Sequence, residues 1–455
     1  MSKRNFILLT IVLIIIVAVV FGFLYFRKGA TLPGEDGTGT NFLSQFNPFG
    51  SGTKTPPATT PPADVSGYEP TPKAEVKLKK VSSMPIAGFT VYQKERLKEI
   101  STPEPVESTT PTSDPSLTLP LAGAGKNSKT IPTQPPTEFM PALRYVARNN
   151  GNVYQTFADK LVEKKFSNTI IPKVYEALFG SGGESVFMRY LKADGKTIET
   201  FAGNLPKELL GEEPTGDKEI KGSFLPENVK DMSLSPDAFS LFYLFEAEDN
   251  IVGTTLDLAT NKKTQVFDSA FTEWLSWWPN SKTITLSTKP SSGIPGYMYT
   301  LDPSSANNKG LTQVLGNING LTTLMSPDGK FILYGNDNLS LSVYQKDTKT
   351  SELLGVRTLP EKCVWGKTSA VVYCAVPKFI ESGGYPEKWY QGETSFSDQI
   401  WKIDVADGNA TILVDPITIE GGEEIDGIKL MVDDSENYLF FVNKKDSFLW
   451  ELKLN

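Results

Sequence analysis

Residues 326–334, Ser-Pro-Asp-Gly-Lys-Phe-Ile-Leu-Tyr, join a tight turn to a short apolar run. Proline fixes φ at the second position of such a turn, the aspartate caps it locally, and glycine takes the left-handed conformation before the next strand. The signal recurs at Ser235-Pro236-Asp237, ahead of the run at 239–245. An altered form, Trp278-Pro279-Asn280-Ser281-Lys282, precedes 283–286. The three prolines stand 43 and 48 residues apart, which matches the about 40–50 residues of a four-stranded propeller blade.

Weaker copies extend the series in both directions. Trp365-Gly366-Lys367-Thr368 precedes 371–374, and Asp433-Asp434-Ser435-Glu436-Asn437 precedes 438–442. Upstream, the runs at 143–148 and 186–191 occupy the same place in two more units. Each opens a hairpin, the first across Asn149-Asn150-Gly151 and the second across Ala193-Asp194-Gly195. From about residue 140 onward no amphipathic helical stretch of comparable length interrupts these β-rich runs. The pattern predicts an all-β fold, a seven-bladed β-propeller over 74–455, although copies this degenerate also fit six or eight blades. The last unit shows only three strands, so its fourth is expected from residues 74–80, which would close the ring and leave no long sheet edge.

Residues 6–26, FILLTIVLIIIVAVVFGFLYF, carry no charge, and about 20 such residues cross the hydrocarbon of a bilayer as a helix. A cleaved signal would have a shorter apolar core and a small-x-small site, whereas Arg27 and Lys28 follow this run directly. Lys3 and Arg4 nearly balance Arg27 and Lys28, so the expected orientation rests on length: a tail of residues 1–5 stays inside while the long C-terminal part crosses. The expectation is a single-pass protein of the cytoplasmic membrane, anchored in the lipid bilayer through 6–26, with its folded part extracytoplasmic. Residues 27–73 are a Pro-, Thr- and Gly-rich linker with too few apolar residues for a core. A second biased run, 97–137, follows the strand-like residues 81–93 and is therefore expected as a disordered insertion within the propeller.

The composition excludes several classes of chemistry. The chain contains no histidine, hence no Ser-His-Asp or Cys-His system, no imidazole base and no histidine-ligated metal. A net charge of −8 without a clustered basic face in the sequence argues against nucleic acid as a partner. No phosphate-binding loop or dinucleotide fingerprint occurs, so no cofactor and no catalytic residue is assigned.

The SPDGK turn with its following strand resembles the repeats of the periplasmic propeller of the Tol translocation system and its WD-like relatives. Residues 167–179 (SNTIIPKVYEALF), 389–404 (WYQGETSFSDQIWKID) and 440–452 (FFVNKKDSFLWEL) are similar to membrane-anchored bacterial proteins of unassigned function. The resemblance implies the fold and supplies no activity.

Four groups of residues are candidates for more than packing. Cys363 and Cys374 fall opposite each other if the hairpin centres between Thr368 and Ser369, which permits a cross-strand disulfide or a pair of buried thiols. The insertion between the second and third strands of the sixth unit carries Tyr385, Trp389 and Tyr390, either as a partner-binding surface or folded back over the channel or a neighbouring blade. Trp274, Trp277 and Trp278 could stack on sugars or pack between blades. The acids Glu420, Glu423, Glu424, Asp426, Asp433 and Asp434 lack the spacing of a calcium loop and read as a solvated face, leaving no metal site. The leading expectation is a tethered scaffold that binds an envelope protein or a cell-wall polymer. The alternative is a carboxylate-dependent glycan hydrolase or lyase acting in the propeller channel.

Overall fold

The computed structural model describes residues 77–98, 136–208, 210, 218–305, 310–419 and 421–454. The expected membrane helix at 6–26, the tail and the linker lie outside the described residues, as does the interior of the 97–137 insertion. Among the described residues no helix is long and apolar enough to cross a membrane.

The described strands form seven four-stranded antiparallel sheets, and six of them run in simple chain order. The seventh is built from Gly427–Val432, Tyr438–Asn443 and Leu449–Lys453, and its outer strand is Leu78–Lys80 from the other end of the fold, with Leu78 opposite Leu452. The ring therefore closes with the strand that precedes blade 1, as the count of three strands required.

All seven second strands fall on the repeated apolar runs: Thr137–Ala147, Ser185–Leu191, Ser240–Ala247, Thr283–Thr288, Phe331–Gly335, Val371–Pro377 and Tyr438–Asn443. Their side chains alternate between the two faces of a blade, and both faces are covered, so the runs are continuously apolar. Leu241 and Tyr243 pack toward blade 2, while Phe242 and Leu244 pack toward blade 4. Phe441 packs toward blade 6 and Phe440 toward blade 1. One apolar cluster lies at each seam between consecutive blades, the seam of blades 7 and 1 included. Gly88 is required at one of these seams, since a Cβ there would lie 1.9 Å from the carbonyl oxygen of Ala177.

The turn read from the sequence has one geometry in four blades. In each, the amide of the residue at position four donates to the carbonyl of position one, as in Gly329 to Ser326 (2.9 Å) and Ala238 to Ser235 (2.8 Å). The position-four residues Ala238, Gly329, Ser369 and Glu436 all have positive φ, between 53° and 72°. Only blade 5 uses glycine there. In blades 3, 5 and 7 a side chain at position one caps the turn: Ser235 Oγ accepts from the amide of Ser240 (2.9 Å), Ser326 Oγ from that of Phe331 (3.0 Å), and Asp433 Oδ1 from that of Tyr438 (2.6 Å).

Blade 1 departs from the common size. Its first two strands, Ile86–Leu97 and Thr137–Ala147, remain paired out to Leu97 opposite Thr137, and the amide of Lys98 donates to Pro136 (2.8 Å). The 97–137 segment is thus joined to the tip of this hairpin.

Candidate functional site at the channel mouth

In an up-and-down ring, the connections between second and third strands emerge on the same face as those between blades, here termed the upper face. The longest described upper connection runs from Val371–Pro377 to Asp398–Asp404 of blade 6 and contains one helical turn, Glu387–Tyr390. It is fixed at its base by a buried ion cluster. Lys362, Asp398 and Asp426 expose none of their side-chain surface; Lys362 Nζ lies 2.7 Å from Asp398 Oδ2 and also donates to Asp426 Oδ1.

Asp426 gathers the insertion. Its carboxylate accepts from Trp389 Nε1 (3.1 and 3.0 Å), Ser395 Oγ (3.1 Å) and the amide of Phe396 (3.0 Å). Burial works against its charge, but Lys362 and these donors hold the carboxyl below the usual carboxylate range. Asp398 has fewer donors. It receives Lys362 and the amide of Gly427 (2.7 Å), its Oδ1 has no partner, and burial reinforced by the charge of Asp426 pushes it up to about 6 despite Lys362.

The far end of the insertion is held on blade 4. Glu387 Oε1 accepts from Ser291 Oγ (2.7 Å) and the amide of Ser292 (2.6 Å). Beneath it, Leu339, Leu359, Tyr385, Trp389 and Phe396 form an apolar cluster. A loop that begins on blade 6 is thereby pinned across the upper face, from the Asp426 side of blade 7 to blade 4.

Tyr390 ends the helical turn, and its hydroxyl donates to Glu361 in the connection between blades 5 and 6. Glu361, Asp231, Glu176 and Lys429 are reached by solvent yet ringed by protein. Burial pushes Glu361 up to about 7, with the Tyr390 hydroxyl pulling down and the Asp231 charge adding upward. Asp231 is pushed up to about 6 by burial and by Glu176. Lys429, in the left-handed conformation (φ 54°) at a bulge, donates to the carbonyl of Ala87 (2.9 Å), and burial lowers its pKa. The Arg189 guanidinium pairs with Glu176 and donates to the carbonyls of Val229 (2.7 Å) and Lys230 (2.9 Å). The mouth therefore combines three acids and two cations, with one carboxyl able to exchange a proton near neutrality.

Among the three aromatic residues expected on a contact surface, the structure separates one from the others. Tyr385 and Trp389 are only 2% and 3% exposed, folded back into the cluster under the insertion, whereas Tyr390 is 38% exposed. The burial follows from the Trp389 indole N–H, which donates to both oxygens of Asp426 and draws the ring inward. Cys363 and Cys374 are opposed in register with Cα atoms 4.1 Å apart and sulfurs joined at 2.13 Å. Trp274 packs edge-on against Phe267, Phe271 and Tyr299, and Trp278 lies in the same cluster. Trp277 alone of the three is exposed.

The acidic stretch is not the uniform solvated face that its sequence suggests. Glu423 and Glu424 pair with Lys80 and Lys445, while Asp426 and Asp433 are buried, one in the ion cluster and one capping its turn. Glu420 lies outside the described residues. Among the described residues no group of three or more cysteines and acids is arranged to hold a metal ion. Sequence reading missed Lys362 and Asp398 altogether. The available signal was weak, a lysine and an aspartate flanking the only two cysteines and the insertion.

No known protein family and no curated protein matches the chain. Among solved structures it is similar to an oligogalacturonate lyase in complex with manganese, at 10% identity and TM-score 0.44, over 69% of this chain and 85% of that one. It is similar to the oligogalacturonate lyase of Vibrio parahaemolyticus at 8% identity and TM-score 0.46, over 70% and 86%. For TolB of Acinetobacter baumannii the values are 12% and 0.36, over 67% and 60%. The fold assignment rests on the seven sheets and their closure.

Proposed function

We propose that the chain is a membrane-tethered, extracytoplasmic propeller that binds an envelope protein or a cell-wall polymer through its upper face. The observation that carries this reading is the insertion of blade 6, held at both ends by Asp426 and Glu387. Locking by buried groups makes a rigid platform, and rigid, preorganised surfaces lose less entropy on binding than mobile ones. The tether is supported by the uncharged run at 6–26 and the linker at 27–73.

A photo-crosslinking amino acid placed at Tyr390 or Lys445 in the full chain, in intact cells, should capture one recurrent protein or glycan. The same probe at Asn437, on the opposite face, should not. Recovery of nothing from the upper face, or equal capture from both faces, would overturn the reading. Deleting residues 6–26 should move the chain from the membrane fraction to the soluble one.

The carboxylate-dependent hydrolase or lyase has one observation in its favour, the Glu361 carboxyl pushed up to about 7 beside Tyr390. A general acid poised near neutral pH is what glycan cleavage needs. Cleavage of an envelope glycan by the full chain, lost on Glu361→Gln, would establish it.

A further inference from the structure

We propose that the groove over the seam of blades 7 and 1 binds the phosphate groups of an anionic envelope polymer, an inference that rests on the upper face being the binding surface. The groove has a volume of about 590 Å³ and collects Arg148, Lys173, Lys444 and Lys445. These cations come from three upper connections, 148–152 in blade 1, 166–175 between blades 1 and 2, and 444–448 in blade 7. In a chain of net charge −8, such a concentration of positive charge is a local reversal that draws anions to one place.

Three of the four cations, Arg148, Lys173 and Lys444, make no ion pair among the described residues, and only Lys445 is paired. Arg148 Nη1 donates to Ser447 Oγ (2.7 Å), leaving its other donors available. Lys444 donates to the carbonyl of Trp389 (2.7 Å) and lies 4.7 Å above that indole, so it is recessed at the groove wall without an acid of its own. Lys445 is held by Glu424 (2.6 Å). Asp446, the one acid in the lining, accepts from the amide of Phe448 (3.0 Å). Lys429 adds further positive charge at the channel side, close enough to feel Arg148.

The geometry favours phosphate over a carboxylate. The cations are supplied from both sides of the seam, Arg148 and Lys173 by blade 1 connections and Lys444 and Lys445 by a blade 7 connection, which suits a tetrahedral oxyanion with acceptors on all sides, whereas a planar carboxylate is matched by a single guanidinium. A recessed lysine also suits a chain that enters the groove better than the plane of headgroups that a bilayer presents.

Long-chain inorganic polyphosphate, titrated into the full chain in nanodiscs of uncharged lipid, should bind. The Arg148→Ala/Lys173→Ala variant should bind at least about tenfold more weakly, since two donors to the phosphate are lost. A control that removes two charges on the opposite face, Lys262→Ala/Lys349→Ala, should leave affinity unchanged, and orthophosphate should compete. Equal affinity in both variants, no binding, tighter binding of poly-glutamate, or binding only to phosphatidylglycerol vesicles would each overturn the proposal. If crosslinking at Tyr390 still captures a partner when polyphosphate fails, the upper face survives as a binding surface and only the phosphate assignment falls.

Discussion

Lys362 Nζ and Asp398 Oδ2 stand 2.7 Å apart with neither side chain exposed, at the point where the blade 6 insertion leaves its sheet. With Asp426 as the second acid, this cluster ties together the connection between blades 5 and 6, the third strand of blade 6 and the entry to blade 7. It is the joint on which the shape of the upper face depends.

Lys362→Met removes the cation and leaves two buried aspartates facing each other. Breaking a buried pair from one side costs about 3–5 kcal/mol, because the remaining charge is uncompensated. Urea denaturation of the variant should show a loss of that order, and Asp398→Asn in the same chain should recover part of it. A loss under about 1 kcal/mol would mean that water reaches the cluster.

Glu451 gives a pH dependence whose sign is fixed. It is 3% exposed, and burial, opposed by Lys79, pushes its carboxyl up to about 8 from the ordinary 4.5. The folded state therefore holds the proton more tightly than the unfolded chain, so this group's contribution to stability falls as pH rises from about 4.5 to about 8. Glu451→Gln should flatten that slope and stabilise the protein at pH 8 by about 1–3 kcal/mol. Parallel denaturation curves at pH 5 and pH 8 provide the check.

Alkylation of the natively purified protein after unfolding in denaturant without reductant should leave both Cys363 and Cys374 unmodified. Replacing both with alanine should cost about 2–4 kcal/mol, the usual range for a lost disulfide. Full labelling without reductant would instead assign buried thiols and would count against an oxidising location.

Ring closure is tested at Leu78, which is 5% exposed and pairs with Leu452. Leu78→Ala should destabilise by about 2–5 kcal/mol through the cavity it leaves. It should also expose the edge of Leu449–Lys453 to intermolecular pairing, seen as concentration-dependent aggregation by light scattering. A variant with unchanged stability and no aggregation would show that closure does not depend on this strand.

The sequence by itself determined the repeat. A turn with fixed hydrogen bonding needs particular residues at particular spacings, and strands covered on both faces need unbroken apolar runs, so Ser326-Pro327-Asp328 and its degenerate copies located five of the seven second strands, and the apolar runs at 143–148 and 186–191 with their hairpins located the other two. The register of Cys363 with Cys374 and the fourth strand donated by Leu78–Lys80 were legible for the same reason, since both follow from local pairing and a strand count. Only the tertiary structure decided what the upper face presents. Lys362, Asp398 and Asp426 lie far apart in the chain and have no periodicity; the inward turn of Trp389 follows from the hydrogen bond that Asp426 accepts, and Tyr385 is buried with it in the apolar cluster beneath the insertion. The basic groove was invisible for the same reason: Arg148 and Lys444, 296 residues apart in the chain, become neighbours only because the last blade closes against the first.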